Sequence, residues 1–408
     1  MRLRTPPSER ARLSWLGGTG AYPLPAMRPP RASVALACLL PLIAALAACG
    51  GGGPEARDRP ADARPAASGA PAPPEREANV YAGTRPGMLT PVTRELSFRV
   101  YVPNGESNTI DVIDPERKKI VRSFAVDALP QHVVPSPDLR TLYVNSNQGN
   151  SLLKIDAKTG RPEGEPIPVE DPYNLYFTMD GDTAIVMAER RQRLDFRDAK
   201  TMRLEKSVTV PCPGLNHVDF SADGRTFVAS CEFGSALIKV DTERRKLVRK
   251  LTLPRAGMPQ DVKLSPNGKR YYVADMGANG LWVVDAERFR VKRFIPTGQG
   301  THGLYPSRDA RHLYASNRGE GTVSVLDFAT GRKLEKWRIP GGGSPDMGGV
   351  SPDGRELWLS GRYDSEVYVF DTRRGKHSDT IAVGDGPHGM AVWPQPGRVS
   401  LGHTGNTR

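Results

Sequence analysis

Four of the seven histidines in this 408-residue chain stand at matching places. His132, His217, His302 and His388 each lie six or seven residues ahead of a turn marked by Asp or a substitute for it. Asp261 and Asp346 hold the same offsets in other copies. Soon after each turn comes a second polar position, occupied by Arg190, Glu232, Arg318 and Arg362 in four copies. Imidazoles, carboxylates and guanidiniums gathered at one rim are the groups that hold a metal or an anionic ligand. No H-E-x-x-H, G-x-S-x-G or Walker-type loop names a reaction. The absence of C-x-x-C-H excludes covalently attached c-type haem. The run Gly341 to Gly343 introduces no helix and is a poor phosphate cradle.

Cys212 and Cys231 flank one such turn. A hairpin centred on Asp223-Gly224 leaves them four residues out of register, a gap that the loop from Pro211 to Leu215 can close by folding back. A disulfide formed in an oxidising compartment is the first reading, worth about 3 kcal/mol in the chain-entropy view. A Cys-Cys-His metal site completed by His217 is the second, and two free thiols the third.

These residues need a scaffold that repeats. The turn mark falls at Asp138, Asp180, Asp223, Asn267, Asp309, Asp353 and Gln395, and the spacing stays between 42 and 44 residues. A second mark, the Asp closing an alternating apolar run, falls at Asp114, Asp156, Asp198, Asp241, Asp285, Asp327 and Asp371 with the same period. Each unit holds four strand-like segments: an inner strand (His388 to Trp393), a second (Leu357 to Ser360), a third (Val367 to Phe370) and an outer one (Ile381 to Val383). No unit has room for a crossover helix, so the sheets are antiparallel. Periods of 40–45 residues with four strands predict an all-β, seven-bladed β-propeller. The chain enters at a second strand, Arg99 to Val102, and leaves after an inner one, so the last strand completes the first blade and closes the ring. Gly (42) and Pro (37) make up roughly a fifth of the chain against a usual ~12%, as many tight turns require.

The remaining sequence reads as an address. Residues 1–48 form a signal peptide, with a true start at Met27, and the run ending Leu46-Ala47-Ala48-Cys49 resembles a lipobox that makes Cys49 the lipidated residue. Residues 49–80 are a Gly/Pro/Ala tether, 81–398 the propeller and 399–408 a C-terminal tail. A mean hydropathy of −0.46 with one long apolar run excludes a polytopic membrane protein. The net charge is +12. Much of it lies in turns between third and outer strands, from Glu116 to Lys119 round to Arg373 to Lys376, which together predict a basic disc opposite the histidine rim. Such a disc suits an anionic membrane or wall polymer; it lacks the aromatics that stack bases, so no sequence-specific nucleic-acid partner is implied.

The units resemble the YVTN-type β-propeller repeat, carried by Tyr143-Val144-Asn145, Val323 to Asp327, Ser351-Pro352-Asp353-Gly354 and Pro387-His388-Gly389. At fold level they are also similar to nitrite-reductase-like and lactonase-like propellers. The third unit, with Ile185 to Met187 and Leu194 to Phe196, departs most. The resemblance implies a His at the rim without any ligand, so His302 and His388 have a structural reading as donors to loop carbonyls. The function that follows is a monomeric, non-catalytic cell-envelope lipoprotein that binds a small ligand or an envelope protein through its rim. The alternatives are a redox or hydrolytic enzyme with a metal or haem at the histidines, and a binder of anionic surfaces or nucleic acid through the basic face. No cofactor is named by any motif.

Overall fold

The computed structural model describes residues 79–403 and 406–408. Seven four-stranded antiparallel sheets follow one another round a ring. The inner strands are Pro130–Pro135, Pro172–Phe177, Leu215–Phe220, Pro259–Leu264, Thr301–Pro306 and Pro345–Val350 for blades II to VII, and Ala391–Trp393 for blade I. Blade I is composite: Ala391–Trp393 pairs with Arg99–Asn104, setting Trp393 opposite Arg99 and Val392 opposite Val100. A strand from the end of the chain thus completes a sheet begun near residue 99.

The two repeating marks have physical causes. In the S-P-D-G turn of blade VII, the Ser351 hydroxyl donates to Asp353 Oδ1 at 2.6 Å. That oxygen also accepts from Arg355 N, and Ser351 Oγ accepts from Glu356 N. Gly354 takes φ +77° there, a conformation open to glycine at little cost. The second mark, Asp371, accepts from the backbone of Arg373 and Arg374. Each Asp therefore satisfies turn N–H groups that the sheet leaves unpaired.

Seven apolar clusters hold the ring, one in each interface between neighbouring blades. Between blades III and IV, Tyr176, Met187 and Phe196 pack on Phe220, Phe227 and Ile238. Between I and II, Tyr101 and Trp393 pack on Leu142 and Val144. The divergent blade III is a regular sheet. Its fully buried Asp195 is held by Arg193 at 2.8 Å and by the Ser207 hydroxyl at 2.6 Å. Its unusual sequence thus encodes a buried ion pair.

Two sequence boundaries change. The outer strand of blade VII is Lys376–Ala382, not Ile381 to Val383. Its sixth residue, Ile381, is the one buried position, so most of this solvent-facing strand carries no apolar alternation to detect. Residues 399–403 and 406–408 are no separate tail. Ser400 bridges to Thr407, and the paired segments lie along the inner strands of blades II to V. Ser400 Oγ donates to Pro135 O, Leu401 O accepts from Phe177 N, Asn406 Nδ2 donates to Val218 O, and Arg408 Nη2 reaches Asp219 at 2.9 Å. These residues fill the lower half of the central channel. Residues 79–81 cap the same end: Val80 N donates to Pro266 O, and Tyr81 OH to Leu264 O. The predicted signal peptide, Cys49 and almost all of the tether fall outside the described residues.

Candidate functional site at the channel mouth

The strand direction brings the start of every inner strand, and every loop after a second strand, to the upper end of the channel. Asp346, fully buried at the start of the blade VII inner strand, is the hub. Its Oδ1 accepts from Arg318 Nη2 at 2.6 Å and from Arg318 Nε at 3.0 Å, and lies 2.9 Å from His302 Nδ1, which also faces Met347 Sδ at 3.1 Å. Its Oδ2 accepts from His388 Nδ1 at 2.8 Å. Burial alone would raise this carboxyl, but Arg318, His302 and His388 hold it well below the usual carboxylate range. Arg362 is buried nearby and donates to Gly386 O at 3.2 Å.

Across the mouth, on blades III and IV, stand Glu189 and Glu232. Burial, with Glu232 and Asp171 close by, pushes Glu189 up to about 8. Burial also raises Glu232, against the neighbouring Gln260, Arg318 and Asn216, the last donating at 2.8 Å. Two exposed aromatics flank these charges: Phe233 beside Glu232, and Tyr363, whose hydroxyl lies 3.2 Å from Arg318 Nη1.

Beneath the mouth lies a layer of imidazoles. The ring of His132 is 5.0–5.4 Å, centroid to centroid, from those of His217, His388 and His403. His217 and His403 are 4.7 Å apart. His132 Nδ1 is 2.8 Å from Tyr173 O, and His403 Nδ1 is 3.0 Å from Asn174 Nδ2. Gly389 crosses directly over His132, and a Cβ there would run into the ring. Burial drives all five channel histidines down, His132 to about 3 and His302 to about 4, so each is neutral at neutral pH.

Of the rim residues picked out by spacing, His302, His388, Asp346 and Arg318 form one bonded cluster, with Arg362 beside it and Glu232 opposite. His132 and His217 lie one layer deeper. His388 donates to the Asp346 carboxylate and His302 packs against the same group, rather than either bonding a loop carbonyl. Asp261 is not a mouth residue: its oxygens accept from Val262 N at 2.8 Å and Leu304 N at 2.9 Å, lacing blade V to blade VI, with Lys263 3.6 Å away. Arg190 is half exposed, binds Asp171 at 2.8 Å and donates to Asn147 O at 3.1 Å, joining blades II and III off the axis. Cys212 and Cys231 form a disulfide, with Cα atoms 4.9 Å apart. Both sulfurs are consumed, so no Cys-Cys-His site with His217 exists. His403 carries no sequence signal because it lies outside the repeat; Glu189 adjoins Arg190 at the polar position after the second strand.

The sequence profile of the YNCE-like beta-propeller family matches residues 88–396. The chain belongs to this family. Among its relatives, antigen Lp49 of Leptospira interrogans is 23% identical over 67% of this chain, and the match spans 64% of Lp49 itself. YncE of Salmonella typhi is 23% identical over 61% of this chain and 73% of its own length. Among solved structures, a putative 6-phosphogluconolactonase from Bacteroides uniformis superposes with a TM-score of 0.61 at 18% identity, covering 72% of this chain and 99% of that one. At that identity the likeness shows the fold alone.

Proposed function

We propose that this YNCE-like propeller is an exported, lipid-anchored protein of the cell envelope that binds, without turning over, a small zwitterionic solute such as an amino acid or the terminus of a short peptide. The observation that carries the ligand class is the opposition of charge across the mouth. Arg318 and Arg362 on blades VI and VII face Glu189 and Glu232 on blades III and IV, and the channel below is filled by the chain's own C-terminal residues. Arg318 binds Asp346 and Arg362 lies beside it, and their guanidiniums suit a carboxylate. The glutamates suit an amine, and Phe233 and Tyr363 offer apolar walls. The lipobox-like end at Cys49 supports the address, as does a disulfide of the kind that persists in oxidising compartments.

Thermal shift followed by calorimetric titration against amino acids and dipeptides tests the ligand reading. At least one zwitterion should stabilise the protein, and Arg362→Met and Glu232→Gln should each weaken it at least tenfold. Equal binding of N-acetylated and amidated forms, or no stabilisation at millimolar concentration, would overturn it. Metabolic labelling with palmitate, abolished by Cys49→Ala, tests the anchor.

A further inference from the structure

We propose that His132, His217 and His403 form a site for a first-row transition metal, zinc or copper, on the channel axis beneath the mouth. One ring nitrogen from each lies within 4.8 Å of those of the other two, and all three residues are buried. They arrive from separate elements: the inner strands of blades II and IV, and the C-terminal segment that fills the channel from below. A metal here would therefore tie that segment to the ring.

The hydrogen bonding of His132 and His217 points the same way, while His403 Nδ1 accepts from Asn174 Nδ2 and would exchange that bond for the metal. Tyr173 O can only accept, so the proton of His132 sits on Nδ1 and the lone pair is on Nε2. That nitrogen is buried and has no hydrogen-bond partner among the described residues. A backbone carbonyl on one ring nitrogen and a vacant lone pair on the other is how metal-binding imidazoles are commonly oriented. His217 is more exposed to the same argument: it is fully buried and neither of its ring nitrogens has a partner. Buried polar atoms left unanswered are rare in native proteins and call for a water or an ion.

The donor set fixes the class of metal. Three neutral imidazoles with no thiolate or carboxylate among them favour zinc and copper over magnesium, calcium or manganese. Nitrogens about 2.0–2.1 Å from a tetrahedral or trigonal centre stand roughly 3.3–3.6 Å apart, so the nitrogens, now within 4.8 Å, draw together by at most roughly 1.2–1.5 Å on loading. The His302 and His388 rings lie on the mouth side, 6.0 Å from His217 and 5.0 Å from His132. The inference stands apart from the zwitterion reading, since none of the three ligands belongs to the charged mouth.

The test is metal retention by the full-length protein, purified without a histidine tag, stripped with EDTA, and exposed to zinc sulfate or copper sulfate. Metal is counted by mass spectrometry after gel filtration, and cobalt(II) serves as an optical probe of coordination. About one equivalent of zinc or copper should be retained, with cobalt bands of a four-coordinate nitrogen site. His217→Asn and His403→Gln should each lower retention at least tenfold, while the surface pair His312→Gln/His377→Gln retains a full equivalent. His403 belongs to no blade, so its variant keeps the ring intact if His217→Asn fails to fold. Wild-type retention below roughly a tenth of an equivalent would overturn the site, as would undiminished retention in His403→Gln.

Discussion

The buried carboxylate of Asp346 offers a direct measure of how much the mouth depends on charge. Asp346→Asn keeps the volume but removes the negative charge that Arg318 grips at 2.6 Å and 3.0 Å, while the Arg318 side chain remains about 10% exposed. The substitution also places an amide N–H against a group that now only donates, either Arg318 or His388. Breaking one side of a buried pair typically costs about 3–5 kcal/mol, because the surviving charge stays out of water. With an unfolding entropy near 2.1 cal/mol/K per residue over about 330 residues, that corresponds to a fall in Tm of roughly 4–7 °C. Urea titration followed by tryptophan fluorescence gives the first figure, and calorimetry the second. Arg318→Met removes the partner, so the double variant should be less destabilised than the sum of the two single ones, with a coupling of about 1–3 kcal/mol. If Asp346→Asn costs under about 1 kcal/mol, or the two substitutions simply add, the pair is not the buried, mutually dependent unit described here.

Further outcomes follow from other parts of the molecule. Reducing the Cys212–Cys231 disulfide, whose cysteines are 19 residues apart, should lower stability by about 3 kcal/mol, read as a shift in the urea midpoint with dithiothreitol; an unchanged midpoint would contradict it. Glu189 is raised to about 8, so the folded state holds a proton that the unfolded state has lost above its own, lower value. Stability should decline as pH rises from about 4.5 to 8, and Glu189→Gln should remove that part of the decline. The same ionisation should strengthen amine binding between pH 7 and 9 in the wild type and not in Glu189→Gln. Trp393→Ala, at a fully buried residue of the strand that closes the ring, should cost about 3–5 kcal/mol and raise proteolysis at residues 99–104, the strand it leaves exposed.

The architecture was legible because its signals are local and repeated. The marks that Asp353 and Asp371 carry in blade VII recur for a reason confined to a few residues, a side chain completing the hydrogen bonds of its own turn. Closure through Arg99 and Trp393 could be read from the phase of the first and last strands. The site was legible where spacing alone sets position, as for His302, Asp346 and His388. It failed where partner choice decides. Asp261 shares its offset with His132 and His217 but bonds the backbone of the next blade, and Arg190 found Asp171 before it could reach the axis. His403 and Arg408 could not be placed, because nothing in a ten-residue segment outside the period says that it returns to the channel.

The pairing of Val392 with Val100 joins residues nearly three hundred positions apart. Blades II to VII are each built from contiguous chain and can assemble as their residues become available, whereas blade I must wait for its last strand. Contacts of such long range form late, since the entropy of drawing the ends together is lost before any burial offsets it. Residues 400–403 and 406–408 come after that strand in the chain, so the channel acquires its filling only once the circle is shut. Closing and plugging are one terminal event of folding, and a chain interrupted before Ala391 would expose both an unpaired sheet edge and an open bore to quality-control proteases.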